Sequence, residues 1–167
     1  MYNEEIINSI KDKMVAAKES IAVAESVTSG HLQAALSQAE NASFFFQGGI
    51  TAYNLGQKCR HLNIDPIQAE ECDCVSKEIA VKMAVEASKM FISNWGAGIT
   101  GYATPVPGKT DDGLHAFYAI VHNGETVVAK KIFTTKTQAT DVQLFYTNAV
   151  LKELETCIDV KPPVVAV

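Results

Sequence analysis

The stretch Ala22-Val23-Ala24-Glu25-Ser26-Val27-Thr28-Ser29-Gly30 decides the fold, because it joins a buried strand to a helix through a tight turn. The apolar run 21–24 predicts the strand, and the apolar spacing that follows predicts a helix over about 30–38. Thr28 and Ser29 carry hydroxyls that suit a helix N-cap. The remaining N–H groups of that first turn favour an anionic ligand. Ser26 ends the strand in a position suited to a nucleophile; the alternative is that Thr28, Ser29 and Gly30 only cap the helix.

The composition predicts one globular domain over residues 1–167. The chain is 47% hydrophobic and 20% charged, with a net charge of -5, so a basic nucleic-acid-binding surface is not expected. No apolar run approaches the roughly 20 residues that span a bilayer. The first ten residues alternate acids and isoleucines, unlike a signal peptide. We therefore expect a cytoplasmic protein with neither a membrane nor a nucleic-acid partner.

The four cysteines do not indicate a metal site. Cys72 and Cys74 form a C-x-C pair, one residue short of the spacing typical of zinc knuckles, and no second pair lies nearby. We expect free thiols and no metal or cofactor.

The order of the predicted elements indicates an α/β fold, a three-layer α/β/α sandwich with a mixed central sheet. The segments 114–122 and 126–133 flank Asn123-Gly124 and predict a hairpin. The segment 160–167 is predicted to be an apolar tail, either disordered or docked on a neighbour. The predicted helices are 3–18, 30–38, 57–62, 66–71 (a short helix or a turn), 76–92 and 138–155, and the remaining predicted strands are 44–53 and 97–101.

Three features within this order suggest a site. Gly48-Gly49, inside a predicted strand, indicates a bulge or a close approach of a ligand or another backbone. Lys58 lies near a helix start, where a cation opposes the helix dipole, so it is either a functional group or a solvated surface lysine. The loop 102–113 follows a strand, a usual place for substrate contacts in open α/β sheets.

Together these segments resemble the CinA C-terminal domain family. The stretch 25–30 is similar to its Ala-Glu-Ser-Cys-Thr-Gly-Gly motif, and Gly48-Gly49, Tyr53 and Lys58 match its Gly-Gly-x-x-x-Tyr-x-x-x-x-Lys. The stretch 97–105 resembles its Thr-Gly-Ile-Ala-Gly-Pro loop. The resemblance covers nearly the whole chain, in the same order.

The resemblance implies an activity, since many family members hydrolyse the carboxamide of nicotinamide mononucleotide to nicotinate mononucleotide and ammonia. It assigns the nucleophile to Ser26, the base or proton relay to Lys58 and a hydroxyl partner to Tyr53. No metal or cofactor is implied, and the ligand is a small-molecule nucleotide. The implied substrate-binding residues are Glu25, Thr28, Ser29, Gly30, Gly48, Gly49, Thr100 and Gly101.

The sequence also departs from the family pattern. Val27 replaces the cysteine, Ser29 replaces a glycine, and the loop 103–109 has a different, stiffer composition. The family's last helix begins with a Gly-Asp-Arg segment whose arginine helps to bind substrate, whereas the matching region 135–143 has Lys136 as its only cation. A lysine does not reproduce a bidentate phosphate contact. The sequence thus leaves two functions open: a nucleotide deamidase, or a CinA-like nucleotide-binding or regulatory module with little or no catalysis.

The apolar residues 164–167 and the aromatic run 44–46 exceed what one small domain needs to bury. They predict a homo-oligomer, with two-fold symmetry.

Overall fold

A computed structural model describes residues 1–160 and contains one five-stranded mixed sheet. The sheet order is β2-β1-β3-β4-β5, with β2, β1 and β3 parallel and β4 and β5 added antiparallel. This confirms the predicted mixed sheet. The strands are β1 (Ile21–Glu25), β2 (Phe46–Thr51), β3 (Trp95–Gly101), β4 (Leu114–His122) and β5 (Glu125–Thr134).

Helices cover both faces of the sheet and complete the α/β/α sandwich. Alternate residues of β1 separate the two cores: Ile21 and Val23 belong to one buried cluster, and Ala22 and Ala24 to the other. The first cluster lies under α1 (Glu4–Ala17), α2 (His31–Ser37) and α6 (Ala139–Val160). The second lies under α3 (Leu55–Leu62), α4 (Pro66–Glu71) and α5 (Lys77–Met90). None of the helices within residues 1–160 is long and apolar enough to cross a membrane.

Glycines in β3 allow α5 to pack close to the sheet. A Cβ added to Gly96 would collide with the carbonyl oxygen of Ala84, and one added to Gly98 would collide with that of Ala80. Since any larger side chain would push α5 outward, these glycines fix the helix-to-sheet spacing.

Trp95 occupies the end of β3 opposite Thr100 and Gly101. Its ring is buried, its Nε1 donates to a Glu19 carboxylate oxygen at 2.7 Å, and it packs on His122 with ring centroids 4.4 Å apart. These contacts tie the start of the strand to its neighbours.

The element boundaries differ from the predicted ones where local turns intervene. The strand predicted over 44–53 is shorter, because a 3₁₀ turn, Ala42–Phe44, precedes β2. The strand predicted over 97–101 begins at Trp95, which pairs with Ile21 and His122. The register of β2 on β1 shifts from Ile21↔Phe46 to Ala22↔Gly48, which confirms a bulge at the glycine pair.

The predicted tail lies almost wholly outside the described residues, since α6 ends at Val160. In the aromatic run, Phe45 is buried and Phe44 is 69% exposed. The homo-oligomer stays a prediction.

Candidate active site

Ser26 follows β1 directly, at the edge of the sheet where the parallel strands end. Its backbone N–H donates to the carbonyl oxygen of Ile99 in β3 at 3.1 Å, so the residue is held beside the neighbouring strand. The side chain is 6% exposed. The chain then turns back within four residues, with Ser29 and Gly30 at positive φ of 50° and 99°. A buried hydroxyl is thereby fixed between a strand end and a helix start.

Glu25, not a hydroxyl, caps the helix that follows. Its fully buried carboxylate accepts from the backbone N–H groups of Gly30, Leu32 and Gln33 at 2.9–3.1 Å, and from the Thr28 hydroxyl at 2.6 Å. The N-cap of α2 is Gly30, without a side-chain cap. The prediction that Thr28 and Ser29 cap this helix was therefore wrong. A carboxylate offers two oxygens and a full negative charge to the helix start, which a hydroxyl cannot match.

This capping also uses the amides that were expected to hold an anion. The Gly30 N–H already donates to Glu25, and the Ser29 N–H donates to the Ser26 carbonyl at 3.1 Å. In contrast, none of the hydrogen bonds found among residues 1–160 uses the backbone N–H of Val27 or of Thr28. Of these two residues Val27 lines the cleft described below, so its N–H, next to Ser26, is the donor available there.

Lys58 is buried against Ser26. Its side chain is 2% exposed, and its Nζ donates to Ser26 Oγ at 2.9 Å and to the Tyr53 carbonyl oxygen at 3.1 Å. The alternative of a solvated surface lysine was wrong. Burial lowers the pKa of Lys58 below its usual value of 10.5, although the acidic groups of Cys74 and Asp73 oppose the shift. The neutral form of the amine is therefore populated at a lower pH than in a free lysine, and only this neutral form can accept a proton.

Tyr53 contributes to this pair through its backbone. Its carbonyl oxygen accepts from Lys58 and, at 3.5 Å, from Ser26 Oγ, whereas its side chain is 71% exposed. The prediction that the Tyr53 hydroxyl is the partner of Lys58 is corrected: the partner is the backbone carbonyl oxygen of Tyr53. The carbonyl takes that place because the chain turns at Asn54, whose side chain accepts from Gln57 N and starts α3.

Thr100 ends β3 next to Ser26 and is buried. Its hydroxyl donates to the Cys74 carbonyl oxygen at 2.7 Å and so fixes the loop that follows α4. Gly101 continues the strand, with no room for a Cβ against Ala116. Both residues line the cleft, and their role toward a ligand stays a prediction.

A cleft of about 480 Å³ opens over the Ser26–Lys58 pair. Its walls come from the turn after β1, the start of α3, the 69–75 segment, the end of β3 with the following loop, and the first turns of α6. The residues that line it are Ser26, Val27, Tyr53, Asn54, Leu55, Lys58, Ala69, Glu70, Asp73, Cys74, Val75, Thr100, Gly101, Tyr102, Ala103, Thr104, Ala139 and Gln143.

Several lining residues were missed in the sequence. Asp73 accepts from the Tyr102 hydroxyl at 2.8 Å, although the two lie far apart in the chain. Gln143 of α6 donates to the Val27 carbonyl at 3.1 Å and to Ser29 Oγ at 3.3 Å, so α6 is tied to the turn after β1. The position of Asp73 between two cysteines was the only signal that could have drawn attention to it.

Other predicted residues lie outside the cleft lining. Gly48 and Gly49 belong to β2, and a Cβ on Gly49 would lie 2.6 Å from Val23 Cγ2 and 2.8 Å from Gln33 Cγ. The close approach predicted at this glycine pair is therefore an approach of other groups of the protein. Four more residues that the family resemblance implies as ligand-binding also lie outside the cleft lining: Glu25, Thr28, Ser29 and Gly30.

The thiols form no metal centre within residues 1–160, where no group of three or more potential ligands is found. All four cysteines are free. Burial raises the pKa of the Cys74 thiol, which keeps it protonated.

A family model described as the CinA C-terminal domain matches residues 3–158. The chain belongs to the CinA C-terminal domain family. A CinA-like protein from Prochlorococcus marinus (strain MIT 9515) is 29% identical over 154 residues, which cover 91% of this chain and 36% of that protein. A CinA-like protein from Synechocystis sp. (strain ATCC 27184 / PCC 6803 / Kazusa) is 34% identical over 117 residues, 70% of this chain and 28% of that one. The chain thus spans about a third of the length of these curated relatives.

Solved CinA superfamily structures share the fold. The competence damage-inducible protein A from Klebsiella pneumoniae subsp. pneumoniae MGH 78578 has a TM-score of 0.88 and 19% identity, covering 97% of this chain and 100% of that one. The competence or damage-inducible protein from Enterobacter asburiae has a TM-score of 0.86 and 25% identity, covering 95% and 99%.

Within this CinA domain, the one cation of the 135–143 region lies away from the cleft. Lys136 is exposed and outside the lining, and its backbone N–H donates to Thr134 Oγ1 at 3.1 Å. Ala139 and Gln143 are the residues that α6 presents to the cleft. The part of α6 that lines the cleft is therefore uncharged.

Proposed function

We propose that this CinA domain is an amidohydrolase that cleaves the carboxamide of a ribosylated nicotinamide. The observation that carries the proposal is the 2.9 Å hydrogen bond between Lys58 Nζ and Ser26 Oγ, buried at the floor of the cleft. A hydroxyl becomes a nucleophile when an adjacent base takes its proton. A lysine whose pKa is lowered by burial is such a base.

The proposed reaction proceeds through a covalent acyl-enzyme. Neutral Lys58 accepts the Ser26 proton as Oγ bonds to the carboxamide carbon, and the negative charge that forms on the carbonyl oxygen is met by the backbone N–H group of Val27, which lines the cleft. The carbon–nitrogen bond then breaks, and Lys58 returns the proton to the leaving ammonia. Water, deprotonated by Lys58, then attacks the carbonyl carbon of the serine ester; the ester bond breaks, Lys58 returns the proton to Ser26 Oγ, and the carboxylic acid is released.

The cleft volume suits this substrate class, since small-molecule sites typically measure about 300–1,000 Å³. Nicotinamide mononucleotide is the substrate that the family resemblance implies, and nicotinate mononucleotide and ammonia are its products.

A second candidate function is a nucleotide-binding or regulatory module with little or no catalysis. It is favoured by the departures of the sequence from the family pattern and by the position of Lys136, the one cation of the 135–143 region, outside the cleft.

Ammonia release from nicotinamide mononucleotide and from nicotinamide riboside, each at millimolar concentration, tests the proposal. We expect turnover that falls by several orders of magnitude in Ser26→Ala and by a similar factor in Lys58→Ala, with the double variant little worse than either. Ser43→Ala, which removes an exposed serine hydroxyl, is the matched control. The rate should rise with pH as Lys58 loses its proton, with a midpoint below 10.5.

Two results would contradict the proposed function. A Ser26→Ala variant that keeps its activity removes this serine from the mechanism. Nucleotide binding without ammonia release from either compound supports the binding module instead.

A further inference from the structure

The surroundings of the Ser26–Lys58 pair are acidic. Within residues 1–160, the carboxylates that line the cleft are those of Glu70 and Asp73, and both are exposed at its rim. Lys58 is the only lysine or arginine in that lining, and burial favours its neutral form. A ligand that enters the cleft therefore meets negative charge first.

Within residues 1–160, the lining also has no arginine and no exposed lysine to bind a phosphate. Arg60, the chain's single arginine, lies on α3 but outside the cleft, and so do Lys109 and Lys136. Phosphate recognition normally relies on an arginine fork or a helix N-terminus. The starts of α3 and α6 both reach the cleft, at Leu55 and Ala139. The Asn54 side chain caps α3 by accepting from the Gln57 N–H, and Asp141 in the first turn of α6 offsets the positive end of that helix dipole.

An aromatic ring stands at the same rim. Tyr53 lines the cleft and is 71% exposed, and its hydroxyl takes part in none of the hydrogen bonds found among residues 1–160. Negative charges and aromatic faces both attract cations. The Tyr102 hydroxyl donates to Asp73 Oδ2 at 2.8 Å and holds that carboxylate in place.

From this arrangement we infer that the preferred substrate is a cationic, unphosphorylated N-ribosylpyridinium carboxamide, the class of nicotinamide riboside. The inference rests on the proposed function and narrows it. The positive pyridinium ring is complementary to the Tyr53 face and to the carboxylates of Glu70 and Asp73. A 5′-phosphate adds negative charge to a cleft that has no arginine to receive it.

Calorimetric titration of Ser26→Ala tests this without turnover. Three probes are compared in two pairs. Nicotinamide riboside is paired with its 5′-phosphate, nicotinamide mononucleotide, to test the phosphate, and with its dihydro form, whose ring is neutral, to test the positive charge of the ring. We expect the riboside to bind about tenfold more tightly than either of the others, with the preference over the mononucleotide weakening as salt is added.

Two pairs of variants locate the recognition. Tyr53→Phe keeps the ring and should keep riboside affinity, whereas Tyr53→Leu should lose several-fold. Glu70→Gln should reduce the preference for the riboside over the mononucleotide, and Glu71→Gln should not, because Glu71 is exposed on the same helix but outside the cleft.

Equal or tighter binding of the mononucleotide would overturn the inference, as would equal binding of the riboside and its dihydro form, or binding of none of the three. Riboside binding by Ser26→Ala in the expected order, together with no ammonia release from the wild type, supports the ligand preference, overturns the riboside as a substrate and refutes the amidohydrolase. Ammonia release with a preference for the mononucleotide supports the amidohydrolase and refutes the unphosphorylated substrate.

Discussion

Replacing Glu25 by glutamine should destabilise the domain by about 3 kcal/mol. The carboxylate accepts three backbone N–H groups, the Thr28 hydroxyl and the Gln33 side-chain amide, all within a buried turn. Glutamine keeps the shape but places an NH₂ where one oxygen stood. If that group faces Gln33, a buried backbone N–H loses its acceptor at a cost of about 1–3 kcal/mol. Loss of the charge at the start of α2 adds about 0.3–2 kcal/mol.

Urea denaturation followed by far-UV circular dichroism measures this change. The sum corresponds to a fall in melting temperature of roughly 6–12 °C for a domain of this size. Glu40→Gln makes the same charge change at an exposed carboxylate, for which no hydrogen bond or ion pair is found within residues 1–160, and should stay within about 0.5 kcal/mol of wild type. A Glu25→Gln variant as stable as the Glu40→Gln control would refute the argument that this carboxylate holds the Ser26 turn together.

Three further substitutions probe the rest of the site. Lys58→Met should remove a pH dependence of the stability, because the pKa of Lys58 is lower in the folded than in the unfolded chain and the unfolded chain binds more protons between the two values. The stability of the wild type should therefore rise with pH relative to that of the variant, up to about pH 10.4. Parallel stability curves in urea titrations from pH 7 to 10.5 would contradict this. Thr100→Val should cost about 1–3 kcal/mol in the same assay, because the Cys74 carbonyl loses its buried donor; an unchanged midpoint would show that this bond contributes little. Gly49→Ala should destabilise by about 1–3 kcal/mol through its collision with β1, whereas Gly56→Ala, whose nearest neighbour lies 3.6 Å away, should be neutral or stabilising; equal melting temperatures of the two variants would contradict the difference in space.

The sequence was most informative where structure follows from local pattern. The strand–turn–helix around Ser26 and the hairpin at Asn123-Gly124 were predicted from apolar spacing and turn residues. The family motif brought Ser26 and Lys58 together, and hydrogen-bond reach between them is confirmed.

Local pattern failed where a distant group took over a local task. Hydroxyls next to a helix start favour an N-cap, but a carboxylate on the preceding strand folds back over the turn and takes those donors. That outcome depends on the three-dimensional path of residues 25–33, which propensity does not describe. The contact of Asp73 with Tyr102 joins two loops 29 residues apart, next to the hydrogen bond by which Thr100 of β3 holds the Cys74 carbonyl.

The position of Trp95 gives the domain an internal fluorescent reporter. It is the only tryptophan in the chain, and six steps of about 3.3 Å along β3 separate it from Gly101, so roughly 20 Å lie between the indole and the cleft. Its backbone N–H donates to the carbonyl of Ser20 just before β1, and its ring packs on His122 at the end of β4. Emission from this indole therefore follows the opening of the central strands, while nucleosides that absorb in the ultraviolet bind too far away to touch it. Unfolding can then be followed by tryptophan emission, and ligand binding by calorimetry, on the same unlabelled protein.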